Sequence, residues 1–521
     1  MRKNLFASLC ATALLALTIA ACTSPKVEAY TNAIPRDAMM VFGMNVQSLG
    51  EKSGFLTDEL LTQKITDIVS SEIDAATLQK LEAIMSAPGE SGLDAKSPFY
   101  YYLQEFNAHM PAMGLVGKVL DEQKLHATIE AFGKEGLWSA PAKGDGYTFS
   151  TIEENGIIAF NAQTFILRPT ITDMEQVKQE IAAQLKQTAE QGIASTEAFK
   201  KLRAMNGDME FLIGYDKFFE QIFSSTVFSA AERAELGAAA TAIQHFKDCQ
   251  MLATLNCEAG KFTSKYEMVT DNPQTAAYME ENAAAMMPLK NRFLKNFAQA
   301  SPLLFSMGCD GAKMYDLILK SGESFRPDVA ALFKSEAAKT ICGMFKGDVT
   351  FGITDIPMGL PTFLLLAEVT DAAPLNALVA QVPGVKKEKE NEYSYAYMGM
   401  FTFYFGVRDN VLYATDDSRL CADLDKAATP SMEANSYVSR FKGESSAFVL
   451  NIEALTASPL IQMVAKQYGQ EVAIIMTLVD KISYMECTAS TLSGEGSLYF
   501  KDDKTNALKQ IVDWGKSLAG M

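Results

Sequence analysis

The feature that most constrains this chain is that its order of apolar segments runs twice. Val41-Phe42-Gly43-Met44 corresponds to Leu304-Phe305-Ser306-Met307, and Tyr147-Thr148-Phe149-Ser150 to Tyr393-Ser394-Tyr395-Ala396. Further on, Glu210 to Gly214 corresponds to Ala447 to Asn451, and Met251 to Met485. The offset between partners falls steadily from 263 to 234 residues, as it does when a second copy has shorter loops. Each copy has the size of an ordinary domain. A chain with 48% hydrophobic residues has enough apolar surface for two cores.

The first copy opens on an apolar strand, Met39 to Val46, followed by helical segments and strands at Phe99–Leu103 and Gly114–Leu120. A helix at Gln123–Phe132 and three short strands at Tyr147–Ile152, Ile157–Asn161 and Thr164–Arg168 come next. The helix Met174–Gln187 carries Val177, Ile181 and Leu185 at i, i+4, i+8, which places them on one face. A strand at Met209–Gly214, two helices, a hairpin (Met251–Leu255, Phe262–Val269) and a helix from Pro273 close the copy. The second copy repeats this order. It starts with strand Leu303–Met307 and helices at Met314–Lys320 and Pro327–Phe345. Strands Val349–Ile353 and Phe363–Val369, helix Pro374–Ala380, and strands Tyr393–Tyr397, Phe401–Val407 and Val411–Thr415 follow. It ends with helix Ser418–Lys426, strand Ala447–Asn451, further helices, a hairpin (Ile482–Thr488, Gly496–Phe500) and a helix Asn506–Leu518 that buries Leu508, Ile511 and Val512. Adjacent strands and hairpins predict an α+β fold: two tandem, internally duplicated copies, each a mainly antiparallel sheet with helices on one face. The expected boundaries are 33–290 and 291–521, with the junction at Pro288 to Asn291.

The N-terminus has the form of a leader. Arg2 and Lys3 precede an apolar run, Leu5 to Ile19, too short to span a bilayer. Ile19-Ala20-Ala21-Cys22 then resembles a bacterial lipobox, which implies a signal peptide over 1–21, acylation of Cys22 and a short tether over 22–32. Beyond the leader no apolar run reaches 18 residues, so the lipid is the only expected anchor. Thr23-Ser24-Pro25-Lys26 carries no acidic run, which favours the periplasmic side of the outer membrane. The chain beyond the leader holds 44 basic and 63 acidic residues, net −19. Such a body is repelled by phosphate backbones, so nucleic acid is not an expected partner.

Motifs of catalysis are absent. His109, His126 and His245 are the only histidines, and none has a second ligand at metal spacing. Six cysteines follow Cys22, with no CxxC pair. Cys249 and Cys257 flank a strand and so stand too far apart to bridge. Gly443-Glu444-Ser445-Ser446-Ala447 comes near a nucleophile elbow but precedes a strand instead of following one. Gly494-Glu495-Gly496 reads as a hairpin turn, and Lys386 to Glu390 as a solvated loop. Asp416-Asp417 and Asp502-Asp503 fit turn chemistry at strand ends. No cofactor and no metal is expected. Two groups are in excess: 26 methionines, and aromatic strands at Phe99–Tyr102 and Phe401–Phe405. Methionine suits adaptable apolar surfaces, and alternation along a strand sends some of these rings to the far side of the sheet.

Ala33-Ile34-Pro35-Arg36-Asp37-Ala38, the apolar strand after it, Asn45-Val46-Gln47-Ser48-Leu49 and Lys52-Ser53-Gly54 together resemble the envelope lipoproteins grouped as domain of unknown function 4836. The resemblance implies no activity, cofactor or catalytic residue. The expectation is therefore a lipid-anchored envelope protein that binds an apolar ligand or a protein partner without catalysis. The alternatives are a carboxylate-based hydrolase and a structural scaffold.

Overall fold

The computed structural model describes residues 27–60, 63, 66, 75–86, 88–105, 112–134, 136, 138–152, 156–169, 174–224, 244–321, 334–358, 360–399, 401–467 and 469–518. The expected signal peptide, Cys22, the start of the tether and His109 lie outside the described residues, as does the beginning of the helix expected from Pro327. The chain divides into two compact units. One consists of residues up to 233, 246–270 and 504–521, and the other of 234–245 and 271–503.

The first unit is built on ten strands: β1 (Met40–Met44), β2 (Phe99–Glu105), β3 (Ala112–Lys118), β4 (Ala142–Lys143), β5 (Thr148–Ile152), β6 (Gly156–Phe160), β7 (Thr164–Pro169), β8 (Met209–Gly214), β9 (Cys249–Glu258) and β10 (Lys261–Thr270). All neighbours are antiparallel, in the order β4-β5-β6-β7-β3-β2-β1-β8-β9-β10. The opening motif is explained by this arrangement. Asn45 ends β1 and caps the helix Val46–Ser53 by accepting from the Ser48 N–H at 3.1 Å. Gly54, at φ 72°, stops that helix in a left-handed turn that favours glycine.

Alternation places core on both faces of the sheet, not on one. Val41, Tyr100, Tyr102, Val116 and Leu212 face a cluster completed by Ile34, by Val177 and Ile181 from the helix Met174–Leu185, and by Phe199 and Leu202 from Glu197–Met205. The last of these helices has no counterpart in the expected element order. Phe99, Ile158, Phe160 and Phe165 face the opposite cluster, covered by Leu125, Ile129 and Phe132 of the helix Glu122–Lys134 and by Trp138.

The second unit also has ten strands: β11 (Leu303–Asp310), β12 (Phe345–Asp355), β13 (Thr362–Val369), β14 (Val385–Lys389), β15 (Glu392–Tyr397), β16 (Phe401–Arg408), β17 (Val411–Thr415), β18 (Ser446–Leu450), β19 (Ile482–Ala489) and β20 (Ser493–Phe500). Their order is β14-β15-β16-β17-β13-β12-β11-β18-β19-β20, again antiparallel throughout, so the two units share one strand order. One face of this sheet packs Leu304, Leu364, Leu366, Tyr413 and Val449 against Phe293, Phe297, Met432 and Phe441. On the other face the buried cluster is confined to Met344, Val369, Leu375 and Val407 among the described residues.

Two closing helices fall in the unit opposite to the expected one. The helix Pro273–Ala285, assigned by sequence to the first copy, lies in the second unit. There Met286 bridges Cys309, Lys313 Nζ donates to the Ala284 carbonyl at 3.2 Å, and Lys320 pairs with Glu281. The helix Ala507–Leu518, assigned to the second copy, lies in the first unit. Asn506 Nδ2 donates to the Cys257 carbonyl at 2.9 Å, Gly260 N–H to the Thr505 carbonyl at 2.9 Å, and Lys516 pairs with Asp58. The residues this helix buries fully are Ala507 and Gln510, while Leu508, Ile511 and Val512 are only partly covered.

Three smaller expectations also change. The charged run from Lys386 lies in β14, not in a loop, and its exposed lysines suit an edge strand because they discourage further pairing. Gly494 to Gly496 lies within β20 and not in the turn, since β19 and β20 extend the hairpin to Ala489 and Ser493. Cys249 and Cys257 stand within β9 itself, both buried and unbridged.

Candidate functional site

The far face of the second sheet carries an open apolar groove of about 380 Å³. β12 supplies Phe351 and Ile353, β13 supplies Phe363, and β16 supplies Phe401 and Phe403. Leu360 and Pro361 of the β12–β13 connection form a wall, and Asp416 is the one charged residue among the described residues of the lining. The registers explain why these side chains meet. Ile353 pairs with Phe363 and Phe351 with Leu365, so residues two apart on neighbouring strands point the same way. Thr415 lies opposite both Leu364 and Tyr404. Extending β17 by one residue puts Asp416 abreast of Phe363 and Phe403, on their face of the sheet.

The rings form a connected floor. Centroids of Phe351 and Phe363 are 6.2 Å apart, those of Phe363 and Phe403 6.1 Å, and those of Phe401 and Phe403 6.2 Å, the last pair edge-on at 61°. These spacings are those of favourable aromatic pairs. Leu360 in the wall is 59% exposed. Asp416 is held in place because its Oδ1 accepts the Phe363 N–H at 3.0 Å, and no cation pairs with it among the described residues. Its neighbour Asp417 instead caps the helix Ser418–Ala422 and holds Arg419 in a two-point ion pair.

The buried carboxylates lie elsewhere and each has a partner. Glu210 in β8 is 1% exposed, pairs with Arg203, and accepts from Tyr100 Oη at 3.0 Å. Glu486 in β19 pairs with Arg440, whose guanidinium also donates to Tyr499 Oη at 3.1 Å. Burial raises both carboxyls above the ordinary glutamate value, and the guanidinium only partly offsets it. Asp208 accepts from Lys52 Nζ at 2.6 Å and from the Cys257 N–H at 2.7 Å. Asp348 accepts from the N–H groups of Lys290 and Arg292 at 3.0 and 2.9 Å. These acids tie strands and loops together inside the fold.

The other sequence candidates are dispersed. His126 lies on the helix Glu122–Lys134, and His245 stacks on Tyr278 at 4.6 Å. Burial raises the thiol of Cys249 to about 11 and that of Cys257 to about 12, so both stay protonated and unreactive at neutral pH. No group of three or more His, Cys, Asp or Glu among the described residues is placed to hold a metal ion. Of the two aromatic strands, Tyr100 and Tyr102 are fully buried, whereas Phe401 and Phe403 line the groove. Phe351 and Phe363 were not singled out in the sequence, because isolated phenylalanines in apolar strands look like core.

Comparison with known proteins gives a family. A family model described as "Domain of unknown function (DUF4836)" matches residues 30–508. The chain belongs to the DUF4836 family. The match spans both units of this DUF4836 protein, well beyond the opening motif on which the resemblance rested. No curated protein matches it. Among solved structures, crystal form IV of TP0453 is 11% identical with a TM-score of 0.28, covering 47% of this chain and 81% of that one. Crystal form III is 9% identical with a TM-score of 0.26, covering 50% and 88%. Crystal form I is 13% identical with a TM-score of 0.25, covering 48% and 81%. Likenesses at this level carry no argument about the DUF4836 chain.

Proposed function

We propose that this DUF4836 chain is a lipid-anchored protein of the cell envelope that binds an apolar ligand without turning it over. The observation that carries the reading is the aromatic groove on the second unit. It has the size of a small-molecule site, an apolar floor and one fixed polar group. The acids that a hydrolase would need are instead engaged in ion pairs or backbone hydrogen bonds inside the fold. Anchoring is inferred from the leader and Cys22, with the body on the periplasmic side of the outer membrane. We further infer that the two units descend from one duplicated domain. Their common strand order and the falling sequence offsets support this, and the second copy has diverged into the one with a groove.

The binding reading is tested with soluble protein starting at Thr23 and the neutral fluorophore N-phenyl-1-naphthylamine. Saturable binding at one site per chain, lost in Phe403→Ala, is the expected result. Turnover of ester, glycoside or peptide substrates that disappears on replacing one buried acid would establish a hydrolase in its place. The anchor is tested separately: Cys22→Ser should move the protein from the membrane to the soluble fraction, or leave the leader uncleaved. Unchanged fractionation and migration would rule the anchor out.

A further inference from the structure

Asp416 is an unusual lining for an apolar groove. Its backbone continues β17 beyond Thr415, where an apolar residue would complete the floor between Phe363 and Phe403. A carboxylate stands there instead. One of its oxygens is fixed by the Phe363 N–H. The other has no partner given by any described residue, and no basic side chain is among the described residues that line the groove. Asp355 at the end of β12 pairs in register with Thr362, which precedes Phe363, and the guanidinium of Arg419 is paired with Asp417 at 2.7 Å.

Phenylalanine rings line the groove beside this carboxylate. A phenylalanine face carries the negative end of the aromatic quadrupole and attracts a cation within about 6 Å of its centre. Phe363 and Phe403 flank Asp416 in register, and their centroids are 6.1 Å apart. A positively charged nitrogen held against Asp416 therefore lies next to a carboxylate oxygen and to the rings of Phe363 and Phe403. Ile353, Leu360 and Phe401 leave apolar walls for what is attached to it. A neutral head gains at most a hydrogen bond to the carboxylate, and an anionic head is repelled.

Resting on the binding reading above, we propose that the groove selects amphiphiles with a cationic nitrogen head, that the nitrogen sits against Asp416 over the Phe363 and Phe403 rings, and that an alkyl or aryl tail lies along the remaining aromatic floor. Asp416 is thereby the specificity-determining residue of the site.

The test displaces bound N-phenyl-1-naphthylamine with three ligands of equal chain length, each below its micelle concentration: decyltrimethylammonium, decyl maltoside and decyl sulfate. The wild type should prefer the cation over the neutral ligand by about tenfold, the size expected for a partly desolvated cation–π contact with a carboxylate beside it. Asp416→Asn keeps an oxygen to accept the Phe363 N–H and removes only the charge. It should bring the cation to the level of the maltoside, with each displacement referred to the fluorophore affinity measured for the same variant. Glu433→Gln, an exposed acid of the same unit outside the groove, should keep the preference. Equal displacement by cation and maltoside in the wild type would overturn the selectivity while leaving apolar binding standing. A preference that survives Asp416→Asn, or falls equally in Glu433→Gln, would assign it to the net negative charge of the chain and overturn the role of Asp416. Absence of saturable fluorophore binding would remove the groove as a site, and both readings with it.

Discussion

The two units share one strand order and differ in how far the second face of the sheet is covered. In the first, a thirteen-residue helix, Glu122–Lys134, lays Leu125, Ile129 and Phe132 on that face, and Trp138 packs on Phe132 with ring centres 4.9 Å apart. In the second, the helix Ala373–Val379 has seven residues and buries only Leu375. Phe351, Phe363 and Phe403 stay partly exposed there. Aromatic rings on a sheet are thus core or open surface according to what lies over them. The strand pattern is the same in both cases, so the distinction resides in the connecting segments.

The strongest way to break this comparison is to remove a helix that one unit borrows from a distant part of the chain. Ending the chain at Asp503 takes Ala507–Leu518 from the first unit, with its Lys516–Asp58 pair and its bond to the Cys257 carbonyl. A loss of about 3 to 5 kcal/mol is expected, which lowers the melting of that unit by roughly 6 to 20 °C. Hydrogen exchange should show new opening in β9 and β10 and little change in β11 to β13. Equal loosening of both units would contradict their separate makeup.

Next in size is a pair of phenylalanine truncations that reads the covered face against the bare one. Phe160→Ala empties a fully buried site and should cost about 3 to 5 kcal/mol. Phe403→Ala, on the half-exposed floor, should cost about 1 kcal/mol and abolish fluorophore binding. Denaturant midpoints measure both, and a large stability loss in Phe403→Ala would mark the groove as core.

The two buried ion pairs sharpen the contrast further. Arg203→Ala leaves Glu210 uncompensated where both partners are buried, and about 3 kcal/mol should be lost. Arg440 has a side chain 38% exposed, so water screens and in part replaces it, and Arg440→Ala should cost roughly 1 kcal/mol. Similar losses in the two variants would show that exposure does not decide the cost.

The smallest effect is on pH dependence. Glu210 and Glu486 have folded-state values raised above the ordinary 4.5, by burial first. Between that value and the raised one the folded chain holds more protons than the unfolded chain. The contribution of each group is therefore greatest below 4.5 and is lost as pH rises through the raised value. Glu486→Gln should lack that slope, so the wild-type minus variant difference in unfolding free energy should fall as pH rises, by about 1.4 kcal/mol per unit of folded-state shift. A difference that does not vary with pH, or that rises with it, would contradict the sign.

Much of the architecture could be read from the residues. Short, nearly continuous apolar runs gave β1, β8, β11 and β18 within a few residues, because a strand with both faces covered is apolar at successive positions. The stripe Val177, Ile181 marked the covering face of Met174–Leu185 because helical spacing is local. Asn45 and Gly54 marked the ends of a helix because capping needs only neighbouring atoms. The two-residue turn Asp409-Asn410, at φ 50° and 57°, joins β16 to β17 because both side chains tolerate the left-handed region.

Other features required the folded chain. The closing helices Pro273–Ala285 and Ala507–Leu518 carry no mark of the unit they join, since an apolar stripe fits any complementary face. Glu210 and Glu486 look in sequence like surface acids, and only the fold sets Arg203 and Arg440 beside them. The groove is the clearest case. Phe351, Phe363 and Phe403 are separated by 12 and 40 residues and meet through the register of β12, β13, β17 and β16. Sequence determined that rings would occupy one side of these strands, because alternation is a local property of extended backbone. Whether that side was core or open surface depended on the length of a helix packed from elsewhere, and only tertiary structure decides that.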